Sequence, residues 1–325
     1  MPPVYEGLTP DAVLDALDSA GWRGDGRMLA LNSYENRVYQ VNLEDESVVV
    51  AKFYRPNRWS DAQILEEHAF STELAGREIP VVAPFAREGT TLHAFGGFRF
   101  AVYPRRGGRT PELESEEVLE WIGRFLGRIH AVGATAPFAE RPALDLDAFG
   151  TEPRQWLLDS GMIPADVREA WQSVSAQALQ RVAQAFSLAG PVRRIRLHGD
   201  VHAGNVLWTD RGPHFVDFDD ARMGPAVQDL WMLLPGDRQG AMRSLKSLLD
   251  GYRRFQDFDA RELALIEPLR TLRLLHYSAW IARRWDDPAF PAAFPWFNTQ
   301  RYWQDRILEL REQSAAMEED PLPLP

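Results

Sequence analysis

The chain has 325 residues, 45% hydrophobic and 26% charged, which is enough apolar material for about two folded regions. Lys and Arg number 36 against 47 Asp and Glu, and the net charge of −11 argues against a protein that wraps nucleic acid or lies on anionic lipid. Cysteine is absent, which excludes disulfides and thiolate-bound metals and suits a reducing compartment.

The stretch from Met1 to Gly7 has neither a basic region nor an apolar core of the kind a leader needs. No apolar run is long enough to span a bilayer, so a cytoplasmic location is expected. Thr9, Pro10 and Asp11 ahead of Val13, Leu14 and Leu17, with Gly21 beyond, predict a capped helix. Strands are predicted over 38–41, 48–53 and 98–103. A helix fits between the last two, with Ile64, Leu65, His68, Ala69 and Leu74 on its inner side. After 104–108 the chain turns helical: Val118, Ile122, Phe125, Leu126 and Ile129 keep helical spacing, as do Trp171, Val174, Leu179, Val182 and Phe186. Residues 241–312 also read as mostly helical, and the acidic, Pro-rich tail from Ala315 as loosely held. The expected fold class is α+β: a small strand-rich N-terminal lobe over 1–104 and a larger helical lobe over 105–325.

The chemistry concentrates in His198-Gly199-Asp200 and Asn205, followed by Asp217 at the end of a second apolar run. Metal-assisted phosphoryl transfer needs a carboxylate to take a hydroxyl proton, and an amide oxygen and a second carboxylate to hold magnesium on nucleotide phosphates. Asp200, Asn205 and Asp217 supply these types at the spacing of a kinase catalytic loop, with Gly199 in place of its Arg. A hairpin symmetric about Arg211 would set Asn205 directly opposite Asp217, close enough to share one Mg²⁺.

Lys52 sits in a strand that is apolar on both faces, so its ammonium needs an acidic partner, a phosphate, or both. Glu66 and Glu67, on the following helix, are the candidates. The glycine-free stretch 32–37 lies where a phosphate-covering loop belongs, and Ser33 could meet phosphate there. His198 reads as a brace for the loop and His202 stays undecided; neither HExxH nor cysteine supports zinc. Asp219 could assist a second metal, pair with Arg222 or be solvated, Asp220 reads as structural, and Asp229 as a helix cap.

These residues resemble the aminoglycoside phosphotransferase and choline kinase superfamily, which shares the protein-kinase-like fold. The longer stretches 31–40, 52–56, 63–68, 224–234 and 284–291 resemble a bacterial stress-response kinase family within it, along nearly the whole chain. The resemblance implies a bilobal, monomeric, ATP- and Mg²⁺-dependent Ser/Thr protein kinase acting in the stress response. By position it implies Asp200 as catalytic base, Asn205 and Asp217 as metal ligands, Ser33 on the nucleotide and Glu67 as the partner of Lys52. Gly199, and the lack of an APE motif after Asp217, argue against activation by loop phosphorylation. Spacing alone does not separate a protein acceptor from a small hydroxylated metabolite or drug. A pseudokinase is disfavoured because Lys52, Asp200, Asn205 and Asp217 are all present.

Overall fold

The computed structural model describes residues 4–325, so the first three residues of the Met1–Gly7 stretch considered above lie outside it. Two compact units emerge from the pattern of contacts. The first holds the described residues up to Pro111, together with 139–141 and 203–220. Its centre is an antiparallel sheet of β1 (Gly24–Leu31), β2 (Arg37–Leu43), β3 (Val48–Phe53), β4 (His93–Phe95) and β5 (Phe98–Pro104), in the order β1-β2-β3-β5-β4. Helix α1 (Pro10–Ser19) starts where Thr9 accepts the N–H of Ala12, and it lays Val13, Ala16 and Leu17 on Val41, Val49, Ala51 and Phe53. Burying each large apolar side chain of this kind is worth ~2 kcal/mol.

Sequence patterning does not reveal β1. It opens on Gly, Asp, Gly and Arg, its pairing with β2 is broken between Gly24 and Met28, and much of this edge strand is exposed. Helix α2 (Asp61–Gly76) begins at a Ser60–Gln63 capping box. Its inner face differs from the expected one: Leu65 and Ala69 are exposed, while Glu67, His68 and Ser71 are buried beside Ile64, Phe70 and Leu74. Apolar spacing misleads here because the helix carries polar groups inward.

The strands Val206–Thr209 and Gly212–Phe215 form a hairpin stitched into this unit by backbone hydrogen bonds. Phe215 N–H donates to Pro80 C=O (2.8 Å) and Val82 N–H to Phe215 C=O (3.0 Å), while Arg109 and Trp208 exchange both bonds (2.9 and 2.7 Å). This stitching explains why the first unit runs on past residue 104 and includes a distant hairpin.

The second unit contains 112–138, 142–202 and 221–325. Its helices are α3 (Glu116–Gly133), α4 (Glu152–Asp159), α5 (Ala165–Ala189), α6 (Gln228–Trp231), α7 (Arg238–Tyr252), α8 (Ile266–Ala282), α9 (Ala289–Ala293) and α10 (Gln300–Ala316). Trp171 of α5 and Trp303 of α10 meet edge to face in an aromatic core with Phe290 and Phe297. Helices α3 and α7 pack backbone to backbone. A Cβ on Gly123 would lie 2.0 Å from the Leu248 carbonyl oxygen, and one on Gly251 2.0 Å from that of Glu120, so only glycine permits this approach. The tail is tied rather than loose: Arg238 donates to the Asp320 and Pro321 carbonyls, and Arg253 to Pro325. Among the described residues, no helix is long and apolar enough to cross a membrane.

Candidate active site

Lys52 lies on β3 between Val38 of β2 and Ala101 of β5, with only 7% of its surface exposed. Its ammonium is 2.8 Å from Asp217 Oδ1 and 3.2 Å from Asp219 Oδ1. Burial works to lower its pKa, but the two carboxylates outweigh burial and hold it well above the ordinary lysine value. The expected partner on α2 is therefore corrected: Lys52 makes its ion pairs with the two aspartates and none with Glu67. Glu67 is buried, its Oε2 has no hydrogen-bond partner among the described residues, and burial raises its pKa to about 7 despite the pull of Lys52. The next residue, His68, is 2.7 Å from the Tyr54 hydroxyl and 2.8 Å from Thr91 Oγ1, and burial lowers its pKa to about 3.

Asp219, whose role the sequence left open, is the acidic hub of this cluster. It is 2% exposed and pairs with Lys52 and Arg58, while Asn36 Nδ2 donates to its Oδ2 (3.2 Å). Burial alone would raise its pKa, yet Arg58 and Lys52 lower it to about 2. Arg58 also meets Asp220 at 2.9 Å, a structural contact. The phosphate-loop candidate is held by the same network rather than by glycine turns. Asn36 Oδ1 accepts the Arg55 N–H (3.1 Å), the Arg55 side chain is 3.5 Å from Glu35, and Ser33 is half-buried in the same segment. Glu35, Asn36 and Arg58 escaped sequence reading because a polar loop looks the same whether solvated or buried around a counter-charge.

Glu66 is no idle surface residue either. Its carboxylate accepts the backbone N–H groups of Ala139, Glu140 and Arg141 at 2.5, 2.9 and 2.7 Å. Glu66→Ala should destabilise the fold by about 2 kcal/mol, the scale of hydrogen bonds to a charged acceptor. Urea unfolding measures this, and an unchanged midpoint would show that the clamp contributes nothing.

The hairpin register is one residue away from the expected one. Val206 pairs with Phe215 and Thr209 with Gly212, around a two-residue turn at Asp210 and Arg211. Asn205 C=O accepts the N–H of Val216, so Val216 and not Asp217 is its neighbour across the hairpin. A one-residue slip reverses which face each side chain takes. Asp217 departs from strand geometry altogether: its φ is +61°, a left-handed backbone unusual for a residue with a Cβ. Its side chain is 52% exposed, and Oδ2 has no protein partner among the described residues.

In the second unit, a short strand, Ile195–Leu197, leads into the catalytic-loop candidate and pairs with Arg222–Gly224. Gly199 has φ +89°, so a glycine stands where a kinase carries Arg because the backbone turns left-handed. Asp229 holds that turn. Its fully buried carboxylate accepts the N–H of His198 (2.9 Å) and of Gly199 (2.8 Å), and it lies 3.0 Å from His130 Nε2. Gln228 Nε2 donates to the Gly199 carbonyl at 3.1 Å. The expected helix cap is thus the anchor of the loop, a long-range role that its local setting concealed. His198 is buried and accepts the Asp200 N–H on Nδ1 at 3.3 Å. The Asp200 carboxylate meets Arg273 of α8 at 2.8 Å through Oδ1, and His202 lies 3.5 Å from Oδ2. Among the described residues, no group of three or more His, Cys, Asp or Glu side chains is arranged to hold a metal by itself.

The profile of the phosphotransferase enzyme family matches residues 28–266. Stress response kinase A of Salmonella choleraesuis is 46% identical over 320 residues, covering 98% of this chain and 97% of its own. The chain belongs to the stress response kinase A group of the phosphotransferase enzyme family. The Escherichia coli stress response kinase A is likewise 46% identical with the same coverage. A Salmonella typhimurium relative at 45% carries the name serine/threonine protein kinase RdoA. Among solved structures, amicoumacin kinase hAmiN, in complex with AMP-PNP, Ca²⁺ and Ami, superposes with a TM-score of 0.73 at 20% identity over 96% of this chain and 95% of that one. A choline kinase from Cryptosporidium parvum gives 0.60 at 11% identity over 95% and 96%. The fold of this phosphotransferase is therefore α+β and protein-kinase-like.

Proposed function

We propose that this phosphotransferase is an ATP- and Mg²⁺-dependent Ser/Thr protein kinase of the bacterial stress response. The observation that carries the reading is identity over nearly the full length, 46% to proteins named stress response kinase A and 45% to one named serine/threonine protein kinase RdoA, with Lys52, Asp200, Asn205 and Asp217 all in place. In the reaction, the acceptor oxygen bonds to the γ-phosphorus as the bond to the ADP oxygen breaks, and the hydroxyl proton passes to Asp200. Lys52, held by Asp217 and Asp219, and Ser33 would bind and orient the phosphates. The donors fit a hard cation: Asn205 offers an amide oxygen and Asp217 a half-exposed carboxylate with one oxygen free of partners among the described residues. Magnesium held there would neutralise charge on the phosphates. A cytoplasmic monomer without nucleic-acid or membrane partners completes the reading.

The deciding experiment is a labelled-phosphate transfer assay with an added protein and with choline, sugar and aminoglycoside acceptors side by side. Phosphate on Ser or Thr of the added protein supports the proposal. Phosphate only on small alcohols overturns it and leaves a small-molecule kinase. The metal assignment has its own test. Asp217→Ala should weaken Mg-ATP binding and turnover together, partly restored by excess magnesium, and Asn205→Ala should do the same more mildly because a neutral ligand is lost. If both variants bind Mg-ATP like wild type at every magnesium concentration, neither residue is a ligand.

A further inference from the structure

A pocket of about 480 Å³ has a lining that includes His202, Trp231, Met232, Leu234, Arg270 and Arg273, and two of these, Arg273 and His202, lie beside Asp200. No acidic residue is among the described residues that line it. In a chain with a net charge of −11, a recess lined by two guanidinium groups and an imidazole runs against the overall balance. Arg270 and Arg273 lie three residues apart on α8, so they project from one face of the helix. Arg273 touches the catalytic-base candidate itself, at 2.8 Å from Asp200 Oδ1. Arg270 pairs with Glu267 at 2.9 Å through Nη1, and its guanidinium lies 5.7 Å from the centre of the Trp231 ring. Its other N–H groups have no acceptor among the described residues, and a guanidinium is built to grip a carboxylate.

Resting on the protein-kinase reading above, we propose that this pocket receives the acidic flank of the acceptor, so that the enzyme selects Ser or Thr hydroxyls neighboured by Asp or Glu. A hydroxyl delivered to Asp200 brings the side chains next to it within reach of Arg273 and Arg270. A neighbouring carboxylate gains charge-assisted hydrogen bonds there. A neighbouring ammonium meets two guanidinium groups in the lining, whose carboxylate partners Asp200 and Glu267 are already engaged, so the pocket disfavours it.

The test uses one Ser peptide in three versions, flanked by Glu, Gln or Lys, with the full-length enzyme and Mg-ATP. The expected order of kcat/KM is Glu above Gln above Lys, with about tenfold between the ends, compressed as salt screens the charges. In Arg270→Glu the order should invert, with the Lys-flanked peptide phosphorylated faster than by wild type. That gain cannot come from misfolding. A wild-type preference for Lys, or an unchanged order in Arg270→Glu, overturns the pocket assignment while leaving the protein-kinase reading intact, since peptides are still phosphorylated. If no peptide is phosphorylated but glycerate is, the protein-kinase reading falls, and with it the acidic peptide as occupant, while the preference for an anionic acceptor stands. Transfer to choline alone overturns both, as does transfer to none of these acceptors.

Discussion

Asp200→Asn is expected to bind Mg-ATP nearly as wild type does and to transfer phosphate about a hundredfold more slowly or worse, the scale of a lost general base. Carboxylate and amide have almost the same shape, and the amide keeps an oxygen for the Arg273 guanidinium that now sits at 2.8 Å. The Asp200 N–H bond to His198 comes from the backbone and is untouched. What disappears is the group that can take the hydroxyl proton. Single-turnover transfer to an added protein, beside a nucleotide-binding titration, separates the two effects. Near-wild-type transfer would falsify the assignment of Asp200 as base.

Asp229→Ala should cost about 3–5 kcal/mol of stability, the range for removing one partner from a buried charged contact. The carboxylate is fully buried, and deleting it strands two backbone N–H groups, on His198 and Gly199, together with the His130 imidazole. Gln228 retains its bond to the Gly199 carbonyl, so the turn would be held from one side only. Turnover should fall as well, because Asp200, the proposed base that follows the turn, is no longer fixed. Asp229→Asn keeps one acceptor oxygen and should fall between wild type and alanine. Denaturant melts check the order, and an alanine variant as stable as wild type would remove Asp229 from its role as anchor.

The chemistry was legible where it is written at fixed spacing. Asp200, Asn205 and Asp217 announce phosphoryl transfer by type and interval, and Lys52 by its apolar strand. Legibility failed where the deciding contact is distant or geometric. The sequence could not choose between a turn centred on Arg211 and one of two residues, Asp210 and Arg211, and that choice moves every cross-strand pair. Nor could it show Glu66 meeting backbone more than seventy positions away, or Asp219 in place of Glu67 as a partner of Lys52. Both errors share a cause. Charges inside a protein are partnered by proximity in space, and local pattern carries no record of it.

The glycine seam between α3 and α7 has a consequence in time. His130 near the end of α3 lies 2.9 Å from the hydroxyl of Tyr252, the last residue of α7, and the same imidazole meets Asp229, which holds the turn before Asp200. Asp200, the proposed base, is thus braced through contacts that close only when helices more than a hundred positions apart have come together, an entropically late event in chain assembly. On the ribosome, a nascent chain that has passed residue 217 already carries Lys52, Asp200, Asn205 and Asp217, yet lacks the partner helix that sets the turn. Catalytic competence therefore waits for synthesis beyond Tyr252, and a truncated product would hold the chemistry without its alignment.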